Sequence, residues 1–189
     1  MSSFFGRKKR KAEPDYNRPI PMIVPQKSAE DEGFTFETLD EKTIDEAIDA
    51  MMKAMPQVKW DNEGLKLRLL SPNALTLIAR REQTVVGVIN GTVFPGPTVQ
   101  LMAVTDPVAG ERGVGVFLID RFIKSVQKKN PKAMFVDVNL PAFDTGSIAL
   151  YSLQGFIIEG FIKNGFQGNH DLVVLRRRLV QQTTQQSVV

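Results

Sequence analysis

Between residues 34 and 179 the apolar positions change period in an orderly way. Residues 34–39 alternate apolar and polar, which predicts a strand. Asp40 has the side chain of an N-cap for the helix that follows. In that helix Ile44, Ala47, Ile48, Met51, Met52 and Met55 fall at i, i+3, i+4, i+7, i+8 and i+11, a single apolar face, and Pro56 ends it. Its methionines read as core, not as a ligand box. A weaker helical pattern covers residues 63–70, near the only tryptophan, Trp60, and Pro72-Asn73 marks the break after it. Three strand-like runs come next, at 74–80, 85–94 and 98–105. Their short connections, Arg81-Glu82-Gln83 and Pro95-Gly96-Pro97, predict an antiparallel meander. Val114, Phe117, Leu118, Phe122 and Val126 then give a helix with a broad apolar face, ending near Lys128-Lys129-Asn130, where positive charge suits the helix dipole. A buried strand at 133–140, a short helix at 145–154 and two closing strands at 156–163 and 172–179 complete the pattern, the last two joined as a hairpin by residues 164–170. The order β α α β β β α β α β β predicts a mixed α/β (α+β) domain with one main sheet and no internal repeat.

Outside this span the pattern is lost. Residues 1–33 form an arm with the basic run Arg7-Lys8-Lys9-Arg10-Lys11, prolines at 14, 19, 21 and 25, and the acidic stretch Glu30-Asp31-Glu32. Such proline density favours extended backbone over helix. Ile20, Met22, Ile23 and Val24 make a short apolar patch that suits docking, on the domain or on a partner, as well as it suits a free arm. Residues 181–189 are a Gln/Thr/Ser tail with little to bury, expected to be disordered. The domain thus occupies residues 34–180.

Composition narrows the chemistry. The chain has 189 residues, no cysteine and one histidine, His170, which excludes thiolate metal sites, a cysteine nucleophile and multi-histidine centres, so no metal is expected. The net charge is +3, of which residues 7–11 supply +5, so the rest nets about −2 and a uniformly basic nucleic-acid-binding domain is not described. No apolar run approaches the ~20 residues of a membrane span, and the basic start leads into no apolar signal core, so an intracellular, cytoplasmic protein is expected. The basic run itself suits nucleic acid, an acidic protein surface, anionic lipid or a nuclear address, and suits a solvated tail equally well. Arg176-Arg177-Arg178 alternates along the last strand, so its side chains divide between two faces.

The stretch that carries chemistry runs from Leu101 through Asp106-Pro107 and Gly110-x-x-Gly113-x-Gly115 into the long helix. A glycine-rich turn opening a helix aims successive backbone N–H groups at one point, backed by the positive end of the dipole, and so forms an anion cradle. The same glycines are compatible with a strand-to-helix turn that binds nothing. The turn lacks the Gly-Lys-Ser/Thr ending of a P-loop, and it comes too late in the chain, with the wrong glycine spacing, for a dinucleotide fingerprint.

A second segment, Asp144-Thr-Gly-Ser147-Ile-Ala-Leu150-Tyr151 followed by Gly155-Phe156, stands downstream of the next strand. Together the two segments resemble the GNAT family, the Gcn5-related N-acetyltransferases. In that family an acetyl-CoA loop, Arg/Gln-x-x-Gly-x-Gly/Ala, follows a strand ending in Val-x-Pro. A later segment there reads Asn-x-x-Ala-x-x-Leu-Tyr-x-x-x-Gly-Phe. The resemblance spans about residues 34–179. It implies a mixed, mostly antiparallel sheet flanked by helices, with a central splayed parallel strand pair. It implies acetyl-CoA as cosubstrate and an amine acceptor: a small molecule, a peptide or a protein. In the cosubstrate loop that starts at Gly110, backbone amides from Glu111, Arg112, Gly113, Val114, Gly115 and Val116 would hold the pyrophosphate. The backbone of Met102, Ala103 and Val104 would pair with the pantetheine arm as an added strand and stabilise the oxyanion through an N–H, and that strand and the next, ending at Asn139, would splay apart. Tyr151 would be the general acid that protonates the departing thiolate.

The chain departs from this pattern. Gly110 replaces Arg or Gln, and Arg112 in the same turn is a substitute or a surface charge. Asp144 replaces asparagine near the cosubstrate, and Leu101 replaces a relay glutamate. Asp137 and Glu37 are the carboxylates left as candidate bases, and each also suits an exposed structural role. Tyr151 likewise suits a residue packed on the sheet with its hydroxyl satisfied. His170 stands in no constellation. The reading divides between an active N-acetyltransferase and an inactive GNAT-fold assembly module anchored by its arm. Self-association is compatible with either.

Overall fold

The computed structural model describes residues 33–56, 58–93, 96–105, 113–167 and 169–179. The predicted arm, the tail and the first part of the glycine-rich turn therefore lie outside the described residues. Within them the elements follow the predicted order: β1 (Phe34–Thr38), α1 (Ile44–Ala54), α2 (Asn62–Leu69), β2 (Ala74–Arg81), β3 (Thr84–Thr92), β4 (Thr98–Thr105), α3 (Val114–Lys129), β5 (Phe135–Pro141), α4 (Thr145–Leu153), β6 (Ile157–Phe166) and β7 (His170–Arg178). One seven-stranded sheet has the order β1-β2-β3-β4-β5-β7-β6. All its pairings are antiparallel except β4 with β5.

Strand alternation separates two cores. On one face Ile78 and Val88 pack beneath Ile44, Ala47, Ile48 and Met51 of α1 and Leu65 and Leu69 of α2. On the other, Leu75, Leu77, Ala79 and Ile89 meet Leu118, Phe122 and Val126 of α3, with Tyr151 of α4 in the same cluster. The prediction for α1 holds for its first four apolar positions, whereas Met52 and Met55 are only partly buried. Asp40 does not cap α1 directly. Its carboxylate accepts from the N–H groups of Lys42 and Thr43 and from the Thr43 hydroxyl, closing a turn, and the helix starts after Thr43. Asp61 does cap α2, accepting from the Gly64 N–H at 3.1 Å.

One polar chain crosses the α2 side of the sheet. Arg68 donates to Asn90 at 3.3 Å, Asn90 donates to Thr76 at 2.8 Å, and Thr76 donates to the Leu69 carbonyl at 2.8 Å. Asn90 is fully buried, so these bonds offset its desolvation. On the opposite face Gly91 lies under the Phe122 ring, where a Cβ would overlap it.

The parallel pair is fastened at one end and open at the other. The Pro97 carbonyl accepts from both Met134 and Phe135, and Asn130 donates to the Gly96 carbonyl at 3.0 Å. Four rungs follow, Thr98–Phe135 through Leu101–Val138. Beyond them Met102 through Thr105 pair only with β3, and Asn139 through Pro141 pair only with β7. The two strands part at their carboxyl ends.

Candidate active site

A cavity of about 370 Å³ lies where the strands part. α1 contributes Ala54 and, just past its end, Met55; β4 contributes Ala103 and Thr105; α3 contributes Gly115 and Ile119. Phe143, Asp144, Ser147, Leu150 and Tyr151 close it from the α4 side. Because α1 covers one face of the sheet and α3 and α4 the other, the cavity reaches both faces through the opening between β4 and β5.

Tyr151 is the distinctive group. It is 1% exposed, its ring stands edge-on to Phe156 at 5.0 Å, and its hydroxyl has no hydrogen-bond partner among the described residues. A buried hydroxyl left without a partner costs about 1–3 kcal/mol, so folded proteins seldom keep one without a use for it. Burial pushes the phenol well above its ordinary value, and the negative charge of Asp144 adds to the shift. The Tyr151 hydroxyl therefore keeps its proton over the whole physiological range.

Asp144 caps α4. Its carboxylate accepts from the Ser147 N–H at 3.0 Å, a role asparagine or aspartate fills equally well. Gly113 is the N-cap of α3 and has φ +84°, a left-handed turn that glycine adopts without strain. Gly115 is buried, and a Cβ there would press on Leu150 at 2.8 Å, so this glycine lets α3 approach α4 closely. The Val116 N–H donates to the Gly113 carbonyl at 3.0 Å, and Val114 and Gly115 are the first two residues of the helix, whose amides have no acceptor within it. Val114 and Val116 are buried and half-buried respectively.

The remaining predicted positions can be placed one by one. Met102 turns its side chain into the core under α1, while its backbone and those of Ala103 and Val104 form the edge that β5 leaves open. Asn139 is exposed on β5, one residue beyond the last rung. Gly110, Glu111 and Arg112 lie outside the described residues. Leu101, in place of a relay glutamate, is buried in the core.

Neither candidate base reaches the cavity. Glu37 sits on the outer strand β1 and accepts from Arg80, which also pairs with Glu46. Asp137 is held by both nitrogens of an Arg176 fork at 2.7 Å each, and Arg176 also lies over the Phe135 ring. Arg177 points to the other face and donates to the Gln154 carbonyl, so the arginine run divides as expected. His170 packs edge-on against Phe143 at 4.9 Å. The sequence reading missed Thr105, Phe143, Ala54 and Met55 as lining residues. The signal for the last two was present in Pro56, which places the helix end, and thus the cavity wall, at Met55.

Neither a protein-family model nor any curated protein sequence matches the chain. Solved structures do. The ribosomal-protein-S18-alanine N-acetyltransferase from Escherichia coli superposes with a TM-score of 0.71 at 16% identity, covering 80% of this chain and 97% of the other. Ard1 from Thermoplasma volcanium gives 0.69 at 17% identity, with 78% and 99% covered. A GNAT-family acetyltransferase from Streptococcus pneumoniae gives 0.65 at 16% identity, with 78% and 99% covered. With its strand order, its single parallel pair and the opening at that pair, the chain has the fold of the GNAT N-acetyltransferases.

Proposed function

We propose that the protein is an N-acetyltransferase that moves the acetyl group of acetyl-CoA to an amine by direct attack. The observation that carries this reading is the buried, unpartnered Tyr151 hydroxyl in the wall of a cavity at the opening of the parallel pair. The residues fit the cosubstrate. The free β4 edge at Met102 to Val104 offers backbone groups to the two amides of a pantetheine arm, as a neighbouring strand would. The opening amides of α3, at Val114 and Gly115, suit a pyrophosphate.

The chemistry follows from these placements. The amine nitrogen attacks the thioester carbonyl carbon, and the developing oxyanion takes a hydrogen bond from a β4 backbone N–H. The C–S bond then breaks, and the Tyr151 hydroxyl gives its proton to the departing sulfur. Desolvation raises the proton affinity of that thiolate as it does that of the phenol, which keeps the transfer matched. The surplus proton of the amine leaves to solvent through the mouth of the cavity, since Glu37 and Asp137 are held elsewhere by arginines, and solvent returns one to the Tyr151 phenolate to restore the acid.

Titration calorimetry with acetyl-CoA tests this reading, with Ser147→Trp as the blocked-cavity control. Ser147 lines the cavity from the first turn of α4, so a bulky side chain there fills the cavity without disturbing a strand. Micromolar binding lost in the control supports the reading. Absence of binding at millimolar acetyl-CoA defeats it and leaves the fold as an assembly module.

A further inference from the structure

The two edges of the sheet are finished differently. β1 is five residues long and turns Thr35, Glu37 and Thr38 to solvent. β6, at the other edge, is ten residues long and almost wholly exposed. Its large apolar side chains Ile157, Ile158, Phe161 and Ile162 are 37%, 49%, 68% and 49% exposed. They lie on both faces of the strand. Phe161 stands opposite Val173 and Ile158 opposite Leu175, both of which belong to the core beneath α3 and α4, while Ile162 stands opposite Leu172 on the other face. Apolar residues on both faces are the pattern of an interior strand, and a long apolar edge invites pairing with another chain.

We infer that β6 is the interface of a symmetric homodimer in which the β6 strands of two copies run antiparallel about a twofold axis at Phe161. The strand is self-complementary about that residue. The axis sets Glu159 opposite Lys163 of the second copy, and Lys163 opposite its Glu159, while the two Phe161 rings meet as a cross-strand aromatic pair. Both charged residues are exposed, and among the described residues neither forms an ion pair. The pairing with β7 shifts register between Ile158 and Gly160 and again between Ile162 and Phe166. Between them Gly160, Phe161 and Ile162 keep uninterrupted register with β7. Burial of the apolar side chains drives association, and the two charge pairs fix its register. The inference does not depend on acetyl transfer.

Sedimentation velocity on the full chain tests it, using charge reversals at exposed positions that leave the fold intact by circular dichroism. The wild type sediments at twice the monomer mass. Glu159→Lys and Lys163→Glu each raise the dimer dissociation constant tenfold or more, because each places like charges opposite one another at two positions. An equimolar mixture of the two variants restores the dimer, since every facing pair is then of opposite sign. A wild type that stays monomeric at about 100 µM overturns the inference and assigns the face to a different protein. A dimer indifferent to both reversals, or single variants that the mixture does not rescue, overturns it as well.

Discussion

Replacing Tyr151 by phenylalanine separates catalysis from stability, and the two effects carry opposite signs. The substitution removes one hydroxyl from a site that is 1% exposed and leaves the ring packed on Phe156. That hydroxyl has no partner among the described residues, so its removal ends a desolvation cost and breaks no bond to them. The expected gain is about 1 kcal/mol, or a rise in Tm of about 2–4 °C for a chain of this size. Activity moves the other way. Loss of a general acid costs about 10²–10⁴-fold in kcat, equivalent to about 3–5 kcal/mol of transition-state stabilisation. Turnover is read as thiol release with a chromogenic disulfide and a panel of primary amines, and the chain contributes no background because it has no cysteine. A merely packed tyrosine with a satisfied hydroxyl predicts the reverse pair of results, a stability loss near 1 kcal/mol and unchanged turnover. Activity within threefold of wild type, or a lowered Tm, refutes the argument.

Other substitutions test the surroundings. Asp144→Asn keeps the α4 cap, so its effect on Tm is small, but it removes the negative charge that helps hold the Tyr151 proton; the alkaline limb of kcat and the absorbance titration of the phenol both move to lower pH. Because the folded phenol lies above its unfolded value of about 10, its ionisation leaves stability unchanged below that pH and lowers it as pH rises beyond, so the alkaline slope in urea titration is steeper in the wild type than in Tyr151→Phe. Arg176→Ala strands the nearly buried Asp137 carboxylate and costs about 1–3 kcal/mol in urea unfolding, moderated because solvent reaches the guanidinium, whereas Asp137→Asn leaves the pH profile of kcat unchanged. Gly91→Ala drives a methyl group into the Phe122 ring and against the Gln100 carbonyl, costing about 1–3 kcal/mol by thermal unfolding with no change in KM for acetyl-CoA.

The order of elements was legible because each rests on a local signal. Period-3.6 apolar faces, Pro56 and the lysines at the end of α3 place the helices within about a turn. What stayed hidden depends on residues far apart in sequence. Asp40 has the right side chain for a cap, but it spends its carboxylate on the turn before Thr43, a choice decided by backbone geometry that no pattern encodes. The closing hairpin is longer than its apolar runs suggest: the strands extend to Phe166 and from His170, carried by register shifts in β6 that a strict alternation cannot express. Asp137 and Glu37 looked like candidate bases because a lone carboxylate in a strand carries no label; only Arg176 and Arg80, brought up by neighbouring strands, account for them.

The site itself depends on a contrast within one strand pair. The Pro97 carbonyl and Asn130 tie the start of β4 to the segment entering β5, and four rungs hold the register. After Leu101 and Val138 each strand keeps only its other neighbour, and Pro141, which has no N–H to donate, ends β5. Among the described residues the hydrogen-bonding capacity of the β4 edge is thus left unused by β5 at the carboxyl ends of the parallel strands, where the crevice of an α/β sheet opens. Met102 illustrates how little side-chain chemistry this needs: its half-buried side chain packs against the core under α1, while its backbone lies on the edge that β5 has vacated. A search for reactive side chains finds Tyr151 but not that edge. Only the pairing pattern of the sheet makes the edge visible, which is why the sequence could offer it through resemblance alone.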